Sequence, residues 1–153
     1  GSRIASRDET VARIAREGSE IGSHSWDHAR LTAQRSRGLP GLVRTSLAVR
    51  RAAGVRPRLF RPPYGEWSRG VWAAARLAGM RMVNWDVDPR DWESRDPAEV
   101  ANRVISSAHP GSIVLLHDAG NGLAPAALSP ILAGLASRGL GVVTASEVLS
   151  GPA

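Results

Sequence analysis

At 153 residues, of which 42% are hydrophobic, the chain has the length of one domain with room for a substantial core. Its net charge is +6, all 20 cationic side chains are Arg, and the absence of Cys excludes disulfides and thiol catalysis. The all-Arg usage reads as coding bias. No apolar run reaches the roughly 20 residues that a membrane-spanning helix needs, and the basic stretch at residues 50–61 lacks interleaved aromatics, so neither a membrane span nor nucleic-acid binding is expected.

Residues 6–17 read as a helix, with Ser6 and Glu9 as a capping box and Val11, Ile14 and Ala15 on one apolar face; Gly18 ends it. Residues 20–23 read as a short strand. Residues 29–38 give a poor signal, a loop or a short helix. Pro40 suits the first turn of a helix running to Ala53, closed by Gly54. Leu59 and Phe60 make a short strand that runs into Arg61-Pro62-Pro63-Tyr64-Gly65, where two prolines break regular structure.

Ser68 is expected to cap a helix to Ala78, ended by Gly79. A strand follows at 81–88, stopped by Pro89. Asp96-Pro97 with Glu99 is a strong helix start, and that helix runs to about Ala108. After the Pro110-Gly111 turn, the apolar run at 112–117 reads as a strand buried on both faces. A helix at 126–137, a strand at 141–144 and a short helix at 146–149 complete the chain. Strands alternating with helices imply an α/β fold with parallel strands and right-handed crossovers. In such folds the site forms at the carboxyl ends of the strands.

Four constellations lie at those ends. His24-Ser25-Trp26-Asp27-His28 places two imidazoles four residues apart; in a helical turn they would share one face, a spacing that suits zinc. Surface or capping histidines would give the same pattern. Arg61-Pro62-Pro63-Tyr64-Gly65 offers a guanidinium and a rigid turn in which the Tyr64 N–H is a candidate oxyanion donor, or else an ordinary proline loop. Asp86-Val87-Asp88-Pro89-Arg90-Asp91-Trp92 carries three carboxylates and an indole, either catalytic or capping. Leu115-Leu116-His117-Asp118 ends a strand with an imidazole that a nearby carboxylate would hold in one tautomer, a candidate general acid. His109 is assigned no role. Five of the seven aromatics are Trp, the residue expected to line a carbohydrate cleft, although a single Trp more often fills a core.

Taken together and in this order, H-S-W-D-H, R-P-P-Y-G, D-P-R-D-W and L-L-H resemble the polysaccharide deacetylase family, carbohydrate esterase family four, over nearly the whole chain. The resemblance implies a distorted (β/α) barrel, assigned to residues 3–150, and a divalent metal, usually zinc, held by one Asp and two His. It makes His24 and His28 those histidines and has Ser25 brace their loop. Arg61 would steady the catalytic base, and the Tyr64 N–H would line the oxyanion hole. Asp91 would orient His117, the general acid. Trp92 and Leu115 would wall the pocket for the acetyl methyl. The implied reaction removes acetyl from a sugar, most often N-acetylglucosamine in chitin or peptidoglycan, sometimes O-acetylated xylan.

The family's T-F-D-D motif, source of both the base and the Asp ligand, is absent, and no two aspartates are adjacent. The chain is therefore expected to correspond to the C-terminal two-thirds of a deacetylase domain with its first strands missing, and residues 1 and 2 read as a cloning scar. An unpaired sheet edge would favour self-association or completion by an N-terminal fragment. Asp27 and Asp118 are weaker candidates for the lost ligand. The alternative is a non-catalytic carbohydrate-binding or scaffold module on the same fold. Family habit points to a secreted or cell-envelope protein, although no signal peptide is visible.

Overall fold

A computed structural model describes residues 1–118 and 123–151. The chain divides into two compact units, residues 1–84 and 85–153, each built around its own apolar cluster.

In the first unit, strand β1 (Leu59–Phe60) pairs in parallel with β2 (Arg81–Met82). Ser23 adds a parallel bridge on the other side of β1, its N–H donating to Leu59 at 2.8 Å and its carbonyl accepting from Arg61 at 2.9 Å. Helix α2 (Gly38–Ala53) connects the first of these segments to the second, and α3 (Arg69–Leu77) connects the second to the third. Leu31, Leu42, Phe60, Val71, Ala75 and Met80 fill the space beneath them. Phe60, the one Phe in the chain, is fully buried.

The ends of the helices follow side-chain chemistry. Ser68 Oγ accepts from the Val71 N–H, and α2 stops where Gly54 takes φ 74°, a conformation open to Gly at no steric cost. The first helix differs from expectation. It is α1 (Asp8–Arg16), and the Ser6–Glu9 box does not form: residues 4–6 make a tight turn in which Ser6 Oγ donates to the Arg3 carbonyl. None of its residues is fully buried. The segment expected as a strand at 20–23 contributes only the Ser23 bridge.

The predicted strand at 81–88 is formed at its start as β2 and, in the second unit, only as Val87, bridged in parallel to Val114 across α4 (Pro97–Ser107). The Leu115 N–H donates to Val87, and the Val87 N–H to Ile113. Asp96 caps α4 by accepting from Ala98, with Pro97 at the first helical position. Helix α5 (Leu123–Ser137) packs along α4 through Val100, Val104, Ala127, Ile131 and Leu135. Gly134 permits this approach, because a Cβ there would lie 2.3 Å from Ile105 Cδ1.

The 112–117 run is not buried on both faces: Leu115 is 3% exposed, while Ile113, Val114 and Leu116 are only partly covered. The segment at 141–144 forms no strand among the described residues, and Val142 and Val143 are exposed. Three β-branched residues, Val142, Val143 and Thr144, carry the strand signal, but no neighbour supplies the ladder that would fix it. The last helix, α6 (Ala145–Ser150), has a full capping box between Thr144 and Glu147. Among the described residues, no helix is long and apolar enough to cross a membrane.

Candidate active site

In the first unit, the chain leaves Ser23 and enters the histidine segment, which is not helical. His24 and His28 nonetheless meet, with ring centroids 4.9 Å apart and planes at 74°. A tight loop replaces the expected helical turn: Ser25 and His28 take φ 66° and 61°, and buried Ser25 Oγ accepts the His28 N–H at 2.9 Å. The Ser25 carbonyl is held in turn by Thr45 Oγ1 at 3.1 Å.

His24 Nδ1 lies 2.7 Å from the Arg61 carbonyl, which only accepts. The ring therefore donates from Nδ1, and in its neutral form carries its lone pair on Nε2. This is the arrangement of a metal-ligating His, whose second nitrogen is oriented by a carbonyl.

The segment after β1 supplies the rest of this cluster. Pro62 and Pro63 are buried and carry no N–H, so Tyr64 has the first backbone donor after Arg61. Tyr64 takes φ 61°, and its ring meets His28 edge-on at 4.9 Å. The Arg61 guanidinium is half-buried, and desolvation lowers its pKa. Among the described residues, four non-Gly residues take positive φ, Ser25, His28, Tyr64 and Arg90, all within the motif segments. Such conformations cost about 1–3 kcal/mol each and persist where the surroundings enforce them, most often at functional sites.

In the second unit, Asp91 is 3% exposed and grips His117 at two points. Its Oδ1 is 2.8 Å from His117 Nδ1, and its Oδ2 accepts the His117 N–H at 2.8 Å. The carboxylate fixes the proton on Nδ1 and leaves Nε2 as the working nitrogen of a half-exposed ring. Trp92 is exposed, with the Arg90 guanidinium 5.5 Å above its ring. Leu115 is buried, its N–H committed to Val87.

The other carboxylates are engaged elsewhere. Asp27 pairs with Arg37 at 2.8 Å, and Asp88 accepts from the Arg90 N–H. Asp86 accepts from the Ile113 N–H at 2.6 Å and lies 3.1 Å from His109 Nε2. The Asp86–His109 pair braces the segments beside the Val87–Val114 bridge, a structural role that no local sequence signal gives. Asp118 is exposed.

Two oriented imidazoles fit part of the ligand set of a zinc-like divalent ion. Among the described residues, no group of three or more His, Cys, Asp or Glu is placed to hold a metal. Sequence reading passed over Arg30 and Glu66. The Arg30 guanidinium lies 4.0 Å from the Tyr64 ring centroid and pairs with Glu66.

The family model described as Polysaccharide deacetylase matches residues 1–83. The chain is 36% identical over 149 residues to the peptidoglycan-N-acetylglucosamine deacetylase PgdA of Listeria monocytogenes, covering 97% of this chain and 31% of that protein. It is 35% identical over 153 residues to the peptidoglycan-N-acetylglucosamine deacetylase of Bacillus cereus, covering 97% of this chain and 72% of that protein. It thus spans about a third of the Listeria protein and nearly three quarters of the other. The solved peptidoglycan deacetylase PdaC of Bacillus subtilis superposes with a TM-score of 0.89 at 33% identity, covering 98% of this chain and 73% of that chain. The fold expected from the motifs is thus shared with that domain over almost every residue of this chain.

Proposed function

The chain belongs to the polysaccharide deacetylase family, and from that premise we propose that it serves the hydrolytic removal of acetyl groups from an acetylated polysaccharide. The substrate is an N-acetylglucosamine polymer such as chitin or peptidoglycan, or an acetylated xylan. The observation that carries this reading is the two-point grip of Asp91 on His117. The grip leaves the Nε2 of a half-exposed ring aimed outward, which proton transfer needs and sugar binding does not.

In the reaction, the oxygen of water bonds to the acetyl carbonyl carbon and releases a proton to solvent, the bond from that carbon to the sugar nitrogen or oxygen breaks, and acetate leaves. His117, protonated at Nε2, gives that proton to the departing amine or alcohol. Asp91 stabilises the imidazolium and keeps its working nitrogen oriented. The Tyr64 N–H is suited to donate to the oxygen on which negative charge develops. Arg61 contributes a half-buried positive charge beside the His24 loop, and exposed Trp92 offers a flat apolar face to a sugar ring. Leu115 backs the same strand end from inside the core. His24 and His28 would hold a divalent metal, zinc by preference, which supplies Lewis-acid polarisation and lowers the pKa of water. Because both relatives are named for peptidoglycan, the cell envelope is the expected place of work.

The test is acetate release from N-acetylated chitooligosaccharide, peptidoglycan fragments and acetylated xylan, with zinc supplied. Release on one of the three that falls about 10²–10⁴-fold in His117→Ala supports the reading. Oligosaccharide binding without acetate release on any of them, unchanged by His117→Ala and by chelation, supports the second reading, a carbohydrate-binding module. The absence of a three-ligand cluster among the described residues is what favours that alternative.

A further inference from the structure

His28 has a difficult position for a ligand. It is exposed, its backbone sits at positive φ, and an exposed imidazole turns about its side-chain bonds unless something stops it. Two rings stop it, His24 on one side and Tyr64 on the other, each edge-on with centroids 4.9 Å away. Tyr64 is itself 53% exposed and also at positive φ, so it too needs a holder.

That holder is Arg30. Its guanidinium lies over the Tyr64 ring at 4.0 Å, well inside the distance at which a cation is attracted to an aromatic face. Arg30 is long and flexible, and Glu66 fixes it through a charge-assisted contact from Nη1 to Oε1. The other Glu66 oxygen accepts from Thr32 Oγ1 at 2.9 Å. The loop bearing Tyr64 and Glu66 is fastened as well, since Asn84 Nδ2 donates to the Gly65 carbonyl at 3.1 Å.

These contacts close a circuit. Arg30 stands two residues after His28, and Glu66 two residues after Tyr64. The Arg30–Glu66 pair therefore joins the two loops that the edge-on rings already bring together. We infer that Glu66 and Arg30 are positioning residues for His28: Glu66 holds Arg30 over Tyr64, and Tyr64 pins the imidazole in the orientation a metal requires. This rests on the metal-binding reading of His24 and His28. It adds that the His28 ligand is set by a clamp of aromatic and ionic contacts, in contrast to the carbonyl that orients His24.

Two readouts test it on the whole chain. The first is the His28 ring-proton chemical shifts by NMR without metal, which report the ring currents of Tyr64 and His24. Arg30→Ala and Glu66→Gln should both move them, and Arg30→Lys should restore most of the wild-type shift. The second is zinc titration by calorimetry, in which Arg30→Ala should weaken binding about 10-fold, the lower end of the range for outer-sphere partners, with Arg30→Lys intermediate. Unchanged His28 shifts in both Arg30→Ala and Glu66→Gln would overturn the inference, whatever zinc does. Zinc binding to wild type that is equally tight in Arg30→Ala would overturn it as well. If wild-type protein takes up no zinc, the metal reading falls and the ring shifts alone decide the clamp.

Discussion

His117 and His28 are held by opposite means, while His24 is held, like His117, by a fixed acceptor, the Arg61 carbonyl. In the second unit, His117 is gripped by a buried carboxylate through two hydrogen bonds. In the first, His28 is exposed and is held by ring edges, a backbone bond to Ser25 and the Arg30–Glu66 pair. Hydrogen bonds to a charged group contribute about 1.5–3 kcal/mol each, whereas an aromatic pair contributes about 0.5–1.5 kcal/mol beyond its burial. The difference suits the proposed tasks. A general acid carries a proton on both ring nitrogens, and a fixed carboxylate stabilises that charged ring and aims its Nε2. A metal ligand needs a direction, and the ion supplies the final rigidity.

The contrast is open to attack in order of effect. The largest is His117→Ala, which should cut acetate release by about 10²–10⁴-fold while leaving the heat of zinc binding unchanged. A parallel loss of zinc binding would mean that the two regions are not separate in role. Next is Asp91→Asn. An amide keeps one acceptor oxygen but turns its NH2 toward one of two donors, so a buried N–H loses its partner, and unfolding free energy should fall by about 1–3 kcal/mol in denaturant melts. A neutral result would reduce the grip to a single useful bond.

Ser25 tests the softer side. Ser25→Ala loses the acceptor for the His28 N–H and keeps a Cβ at φ 66°, so it should cost about 1 kcal/mol. Ser25→Gly loses the same acceptor but tolerates the backbone, so it should cost less in the same melts. Equal costs would mean that strain at residue 25 is not stored.

The smallest effect is a pH dependence confined to α6. The Thr144 hydroxyl and N–H lower the Glu147 pKa from its ordinary value. A carboxyl lowered on folding stabilises the folded form above its unfolded pKa and ceases to do so as pH falls through the folded one. Amide exchange at Thr144 should therefore lose protection on acidification below the ordinary carboxylate range.

Much of the framework was legible because it is local chemistry. The caps at Ser68 and Asp96-Pro97 and the stop at Gly54 depend on residues within a turn of where they act. Strand β1 was found at its true limits, because prolines at 57 and 62 leave it little room on either side. Two identical signatures mark the limit of such reading. Thr144-x-x-Glu147 forms a capping box, whereas Ser6-x-x-Glu9 does not, because a preceding turn uses the Ser6 hydroxyl and leaves Arg7 at the cap. The site residues were legible as types and order. Their geometry was not: the His pair meets through two residues at positive φ, a conformation uncommon for any residue but Gly. The clamp of Arg30 and Glu66 was invisible because its halves lie 36 residues apart in the chain. The strand lengths failed for a related reason, since pairing depends on partners and not on a segment's own sequence.

Gly134 has a consequence for how the second unit finds its form. A missing side chain facing Ile105 acts as a keyway: α4 and α5 lie flush only when that residue meets that isoleucine. Slide α5 by one turn and Pro130 would face Ile105 in place of Gly134, so that the isoleucine side chain would have to move to make room. The notch thus favours one alignment of the two helices over its neighbours.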